Sequence, residues 1–282
     1  AGMLACGLRA ESEPTLLVDI GTNGEVVLAG GGRLTAASAA AGPAFEGARI
    51  SRGQRAAPGA IEGVAIQDEV LLQVIGSRRP AGLCGSGLID AAAELLRRGL
   101  LHSSGRLSGP GEAPPGTPPA LAACLTAPGG RPAFRLAGAA ETGAGDLLLT
   151  QRDVRELQLA KAAIAAATTL LLRENGLRPG DLRAVYLAGA FGNFIRRHQA
   201  QRIGLLPVMP PERIRFVGNA ALEGARLALL QAESRKAIEG LVRRTRQLDV
   251  SSLPDFQDVF SEALPFPDPG AAGPAGPGRS RL

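Results

Sequence analysis

The sequence predicts an α/β fold in which a mixed β-sheet is flanked by helices. Short apolar segments come in pairs near the amino terminus, and a long amphipathic segment of helical period lies in the middle. In the second half, apolar strands twice turn on glycine and lead toward a helix. Strands that alternate with helices indicate α/β layers, and the paired strands predict antiparallel hairpins at the front of the chain.

The first hundred residues are predicted to be mainly strands, followed by one helix. Gly or charged residues bound each short apolar segment, as expected of strands. The predicted strands lie around 16–20, 25–29, 33–38, 61–66 and 70–75. The segment "GLCGSGLIDAAAELLRRGLL" (82–101) then turns on glycines into a helix with an apolar face.

The middle of the chain contains a loop, two short strands and the longest predicted helix. Residues 103–119 are rich in Gly, Pro and Ser, so we expect a flexible insertion there. Strands are predicted around 133–137 and 147–149, and a helix over 152–174. The spacing of Thr150 and Asp153 is that of a capping box at the start of this helix.

The last third continues the alternation of strands and helices. The predicted elements are a strand opening "AVYLAGAFGNFI" (184–195), a helix ending near "RIGLLP" (202–207), a strand and helix in 214–230, a helix over 234–246, a strand in "LDVSSLPDF" (248–256) and a helix in "DFQDVFSEAL" (255–264). The tail 268–282 cannot bury enough apolar surface to fold, so we expect it to be disordered. The predicted folded region is therefore 1–267.

Composition narrows the function classes. The formal net charge is +5, but only Lys161 and Lys236 are lysines, and no basic stripe is interleaved with aromatic residues, so we expect no nucleic-acid partner. No apolar run approaches the roughly 20 residues of a membrane helix, so we expect no membrane contact. Three scattered cysteines suit neither a disulfide framework nor an iron–sulfur cluster, and favour a cytoplasmic location.

The stretch "LLVDIGTNGEVVL" (16–28) has two compatible interpretations. Asp19 ends a buried strand, where a carboxylate can hold Mg²⁺. Gly21 lets the backbone approach an anion, and the N–H groups of Thr22, Asn23 and Gly24 could line an anion-binding concavity. The alternative is a plain hairpin in which Asn-Gly forms a type I′ turn. The residues alone leave both interpretations open.

Three further glycine-containing loops are weaker candidates. In "LAGAFGN" (187–193), Gly189 and Gly192 bracket Ala190, and a flat base or ribose could lie against such a backbone. In "CGSG" (84–87), Gly85 and Ser86 open a helix, where free N–H groups favour anions, although a packing turn is the preferred interpretation of these residues. In Gly42–Ala48, the acid Glu46 could approach a ligand.

Several long phrases, in one order, resemble a known family. They are "LLVDIGTNGEVVL", "AAGPAFEGARISRGQRAAPGAIEGV", "GLCGSGLIDAAAELL", "QRDVRELQLAKAAI", "YLAGAFGNFI", "RIGLLP", "VGNAALEGA" and "SSLPDFQDVFSEALPFP". Over roughly 1–267 the chain resembles the C-terminal ATPase region of the reductive activators of corrinoid-dependent proteins. These belong to the actin, sugar-kinase and Hsp70 superfamily, so the resemblance implies RNase H-like lobes that close on ATP, with the second lobe incomplete here.

The resemblance also implies a function. Activators of this family use ATP to drive electron transfer onto cob(II)alamin in a corrinoid protein, which restores methyl transfer, and they carry a [2Fe–2S] domain upstream. By analogy Asp19 would act on Mg²⁺, and Gly21, Thr22, Asn23 and Gly24 would contact phosphate. The nucleoside side would be lined by Gly189, Ala190, Gly192 and Asn193, with Gly85 and Ser86 as additional contacts. The expected partner is a corrinoid protein, and a homodimer is a candidate assembly.

The chain departs from the family in ways that leave alternatives open. It starts at Ala1, inside what reads as a helix end, and lacks an earlier D-I-G-T-T turn and the cluster cysteines. We therefore expect a piece of a longer protein, in which hydrolysis depends on a missing first phosphate loop. The alternatives are another enzyme of the superfamily, such as a small-molecule kinase or dehydratase activator, or a docking module without turnover.

Overall fold

The structure is a computed structural model that describes residues 1–189 and 195–268. The strands are β1 (Thr15–Ile20), β2 (Gly24–Gly30), β3 (Arg33–Ala39), β4 (Ala60–Ile66), β5 (Val70–Val74), β6 (Gly82–Leu83), β7 (Leu125–Thr126), β8 (Ala133–Ala137), β9 (Leu147–Thr150), β10 (Ala184–Ala188), β11 (Ile214–Gly218) and β12 (Thr245–Gln247). The helices are α1 (Gly2–Ala5), α2 (Gly85–Arg97), α3 (Pro119–Ala122), α4 (Ala139–Thr142), α5 (Gln151–Glu174), α6 (Arg197–Arg202), α7 (Ala220–Leu230), α8 (Ala232–Arg244) and α9 (Phe256–Ala263).

The central element is a six-stranded mixed sheet in the order β11-β10-β1-β2-β3-β12. Strand β10 runs parallel to β1 and β11, whereas β2 runs antiparallel to both β1 and β3. The predicted α/β class and the hairpins at the front are therefore confirmed. Two three-stranded sheets, β5-β4-β6 and β7-β8-β9, complete the described strands.

The turn between β1 and β2 differs from the predicted type I′ turn. Ile20 pairs with Gly24, which leaves the three residues 21–23 to connect the strands. A type I′ turn needs positive φ at both central residues, and neither Asn23 nor Gly24 has it. Gly24 instead continues β2, where a Cβ would lie 2.7 Å from Cγ1 of Ile164.

Helix α5 supports the sheet from one side and begins with the predicted capping box. The Thr150 hydroxyl accepts from the Asp153 N–H at 3.2 Å, and the Asp153 carboxylate accepts from the Thr150 N–H at 2.9 Å. The helix packs its buried face on β2 and β3. Asn175 ends it, and Gly176 follows with φ +68°, a conformation that glycine adopts without strain.

Helix α2 supplies hydrogen-bond acceptors to backbone N–H groups of β4 that lie beyond the end of its short neighbour β6. Strand β6 pairs only with Ala60 and Ile61 of β4. Beyond them, the Val64 N–H donates to Asp90 at 3.3 Å and the Ile66 N–H donates to Glu94 at 3.2 Å. Two carboxylates one helical turn apart thus replace strand pairing, because buried N–H groups need partners.

Residues 103–118 form an irregular loop in the structure, and α3 begins at Pro119. Leu107 and Ser108 within it are buried. The Gln151 side chain fastens the loop to α5, since its amide donates to the Gly105 carbonyl at 2.6 Å and accepts from the Leu107 N–H at 2.9 Å. The flexibility expected of this segment stays a prediction.

The last strand was predicted in the wrong place. The segment 248–256 contains no strand; β12 lies just before it, parallel to β3. The Asp249 carboxylate accepts from the N–H and the hydroxyl of Ser251, which turns the chain into a short 3₁₀-helix at Val250–Ser252. The predicted tail begins at 268, and 269–282 lie outside the described residues.

Lys161 fastens the end of the described chain to α5. Its ammonium donates to the carbonyls of Ala263 and Pro265, each at 2.5 Å, and lies 5.3 Å from the centre of the Phe266 ring. Lys161 is only 2% exposed, and this burial lowers its pKa to about 8. A lysine suits this position because its compact head can donate to several carbonyls at once.

The described helices include no membrane-spanning candidate: each is too short or too polar to serve as one.

The buried lysine predicts a pH-dependent stability. Between its folded pKa of about 8 and the unfolded value of about 10.4, the unfolded chain binds a proton that the folded chain does not. Folding therefore becomes more favourable as pH rises through this window, by up to about 3 kcal/mol. We expect the free energy of unfolding of the wild type, minus that of Lys161→Met, to increase from pH 7.5 to 10.5.

The measurement is urea unfolding at a series of pH values. Lys236→Met is the matched control, since Lys236 is exposed on α8. Its difference from wild type in the free energy of unfolding should not change with pH. A flat difference for Lys161→Met would show that the ammonium is not buried in the folded protein.

Candidate phosphate-binding site

Three parallel strands end at one edge of the central sheet. These are β1 at Ile20, β10 at Ala188 and β11 at Gly218. Gly189 lies between the other two strand ends: its N–H donates to the Gly218 carbonyl at 3.0 Å, and a Cβ on it would lie 2.3 Å from the Ile20 carbonyl oxygen. The carboxyl edge of parallel strands is the usual ligand site in open α/β sheets.

Two glycine turns predicted from the sequence therefore begin side by side. Gly189 has φ +110°, so a side chain there would be strained as well as obstructed. The rest of its turn, with the candidates Ala190, Gly192 and Asn193, lies outside the described residues. At the third strand end, Asn219 caps α7 by accepting from the Leu222 N–H at 2.9 Å, which adds a helix N-terminus to the same edge.

The loop 21–23 presents backbone donors toward solvent. The Gly21 N–H donates to the Asn23 carbonyl at 3.0 Å and closes the loop. Thr22 and Asn23 are exposed, and within the described ranges neither N–H group makes a hydrogen bond. Consecutive free N–H groups in a tight loop are the kind of donor set that binds a phosphate oxygen.

The neck of the hairpin carries two facing carboxylates. Asp19 and Glu25 are register partners on β1 and β2. Burial raises the pKa of Asp19; burial and then the charge of Asp19 raise the pKa of Glu25. The pKa of the Cys6 thiol rises to about 11, first through burial and then through Asp19. Facing carboxylates destabilise a hairpin, and a cation would relieve them.

These carboxylates fit Mg²⁺ only in one of its common binding modes. The described residues contain no group of three or more His, Cys, Asp or Glu side chains arranged to hold a metal ion. Mg²⁺ is often held by one or two carboxylates together with substrate phosphates. Asp19, alone or with Glu25, suits that mode, in which the nucleotide supplies the remaining ligands.

A second loop closes over the first. The Thr22 hydroxyl donates to the carboxylate of Glu46, at the end of the turn Pro43–Glu46. The sequence indicates only that Glu46 could approach a ligand, and it carries no signal that distinguishes Glu25. Once the turn is known to have three residues, the register of the hairpin places Glu25 opposite Asp19. Glu46 is brought to the loop by tertiary packing, which no local pattern encodes.

Three predicted contact residues have packing roles in the structure. A Cβ on Gly85 would lie 2.1 Å from the Phe45 carbonyl oxygen. Ser86 is buried, with its hydroxyl 3.4 Å from Sγ of Cys84. Gly24 packs against Ile164, as described above. Their contacts with a ligand stay predictions, although Gly85 does place the start of α2 directly behind the Glu46 turn.

Comparison with known proteins gives consistent matches. Residues 13–274 match a protein-family model, RACo_C_ter, described as the C-terminal domain of RACo, the ASKHA domain. The chain is 38% identical over 264 residues to the corrinoid activation enzyme RamQ of Eubacterium limosum, covering 93% of this chain and 44% of RamQ. It is 32% identical over 254 residues to the [Co(II) methylated amine-specific corrinoid protein] reductase of Methanosarcina barkeri, covering 82% and 42% respectively.

A solved structure also matches. It is a reductive activator for corrinoid,iron-sulfur protein, similar with a TM-score of 0.82 and 35% identity over 95% of this chain and 42% of that one. The predicted family resemblance and fold class are thereby confirmed. The chain spans less than half the length of the relatives it matches.

The contact between Gly85 and the Glu46 turn predicts a stability change. Gly85→Ala would drive a methyl group into the Phe45 carbonyl, and such overpacking against backbone costs about 2 kcal/mol. Gly240→Ala is the matched control, because nothing lies within 4 Å of a Cβ at that helical position. There alanine should stabilise by about 0.5–1 kcal/mol. The urea unfolding midpoints of the two variants measure both stability changes. Equal midpoint shifts for Gly85→Ala and Gly240→Ala would contradict the described packing.

Proposed function

Since this chain belongs to the RACo_C_ter family, the ASKHA domains at the C-terminus of reductive activators, we propose that it is the ATP-binding part of such an activator. In this role it couples ATP to electron transfer onto cob(II)alamin in a corrinoid methyl-transfer protein. The observation that carries the proposal is the shared strand edge, where the Asp19 carboxylate, the free N–H groups of the 21–23 loop and the backbone of Gly189 converge.

Each part of this edge has a proposed task. Asp19 holds Mg²⁺, directly or through water. Thr22 and Asn23 bind phosphate through their N–H groups and polar side chains, and Gly21 lets the phosphate approach the backbone. Gly189 keeps the backbone open beside the phosphate loop, and Ala190, Gly192 and Asn193 line the nucleoside side. The free N–H groups and the helix N-terminus supply positive partial charge, which suits a nucleotide phosphate chain.

The whole activator needs more than this chain. The curated relatives it matches are more than twice as long, so we assign the [2Fe–2S] cluster and the first phosphate loop to upstream sequence. Phosphoryl transfer is clamped by donors and metal from both sides of a cleft, so hydrolysis belongs to the complete protein. We further propose a corrinoid protein as partner, a cytoplasmic location and a homodimer as candidate assembly.

Calorimetric titration with Mg·ATP tests the nucleotide site. We expect wild type to bind, and Asp19→Asn to lose at least tenfold in affinity, because a charge-assisted contact contributes about 1.5–3 kcal/mol. Asp68→Asn, which removes a charge at the exposed end of the β4–β5 hairpin, should bind like wild type. Equal affinity of Asp19→Asn and wild type would contradict the assignment.

Phosphate release from Mg·ATP, measured for this chain and for the full-length activator, distinguishes an ATPase from a docking module that binds nucleotide without turnover. Release by the full-length activator with binding alone by this chain is the expected result. Binding without release in both would identify a nucleotide-dependent docking module rather than an ATPase.

A further inference from the structure

The contact between Thr22 and Glu46 links the phosphate loop to a carboxylate that the proposed function does not use. The Thr22 hydroxyl donates to Glu46, although it belongs to the set of donors that would face phosphate. Resting on the proposed function, we propose that Glu46 is a specificity-determining gate. Its carboxylate competes with a phosphate oxygen for the Thr22 hydroxyl, and it selects cation-complexed over cation-free nucleotide.

Glu46 is held in place by a rigid turn. The residue before it, Phe45, is 1% exposed, and Gly42 and Gly47 bound the turn with φ of +72° and +80°. A Cβ on Gly47 would lie 2.5 Å from the Gln54 nitrogen, so the backbone packs too tightly there for any other residue. The backbone at Glu46 is therefore fixed beside the exposed 21–23 loop, and the side chain extends from it to the Thr22 hydroxyl.

The charge around the loop gives Glu46 its effect. Asp19 and Glu25 face each other at the neck of the hairpin, and Glu46 lies on the other side of Thr22. No ion pair among the described residues includes any of the three. A bare triphosphate brings about four negative charges to this edge and is repelled, whereas a bound divalent cation halves that charge.

Free ATP and Mg·ATP must both displace the Glu46 carboxylate, but they differ in the charge repulsion that results. To reach the Thr22 hydroxyl, a phosphate oxygen must replace the Glu46 carboxylate as its acceptor. A cation-complexed phosphate chain does so while bringing its own countercharge, but a free phosphate chain leaves two anions side by side. Glu46 therefore penalises free ATP more than Mg·ATP.

The test is Glu46→Gln, which removes the charge and keeps an amide oxygen that can accept from Thr22. Calorimetry is run at low salt with ATP in EDTA and with Mg·ATP. We expect the affinity for metal-free ATP to rise about tenfold, as for loss of one like charge near 6 Å in a partly screened site. The affinity for Mg·ATP should rise only about threefold, because the halved charge halves the repulsion, so the selectivity for Mg·ATP falls about threefold.

Glu69→Gln is the matched control, because it removes an exposed carboxylate at the end of the β4–β5 hairpin and should leave the selectivity unchanged. Thermal unfolding of each variant verifies the fold. If wild type binds Mg·ATP and Glu46→Gln keeps the wild-type selectivity, the gate is overturned and the proposed function stands. If wild type binds no Mg·ATP, both are overturned.

Discussion

The close approach of two backbones at Ile20 and Gly189 is the constraint on which the candidate site depends. A Cβ atom at position 189 would lie 2.3 Å from the Ile20 carbonyl oxygen, so only glycine fits there. Because β1 and β10 are parallel and Asp19 is in register with Ala188, the 21–23 loop and the turn that begins at Gly189 start next to each other at the same edge of the sheet. The bond from Gly189 to the Gly218 carbonyl extends the alignment to β11 and to the N-terminus of α7.

Buried carboxylates on α2 connect β4 with the segment that follows β10, in addition to the apolar packing of α2. Asp90 and Glu94 accept from the edge of β4, and Glu94 also accepts from Gln199 at 2.7 Å. Asp90 lies 3.4 Å from the guanidinium of Arg196, just beyond the second glycine turn. Burial raises the pKa of Asp90 to about 7, while Arg196 opposes that rise. The edge of β4, α2 and the segment after β10 are thus joined by one polar network.

Local sequence patterns predicted most of the elements and only part of the site. Short apolar segments bounded by Gly or charged residues indicate the hairpin strands, the helical period indicates α5, and the Thr150–Asp153 spacing indicates its cap, because those signals depend on neighbouring residues alone. The Asn-Gly pair predicted the wrong turn, since Ile164 on α5 requires a residue without a side chain at position 24. The last strand was misplaced because the residues that reach the free edge of β3 are fixed by tertiary packing. Tertiary structure likewise places Glu25 opposite Asp19 and brings Glu46 to Thr22, which no local pattern indicates.

The central claim is that nucleotide phosphate binds at the 21–23 loop, on the edge shared by β1, β10 and β11. Amide NMR shift mapping with Mg²⁺ and a non-hydrolysable ATP analogue tests it most directly. The account predicts the largest shifts at the amides of Gly21, Thr22 and Asn23, with smaller shifts at Gly189 and at the start of α7. Unchanged amides in the 21–23 loop, together with shifts that cluster on another surface, would contradict it.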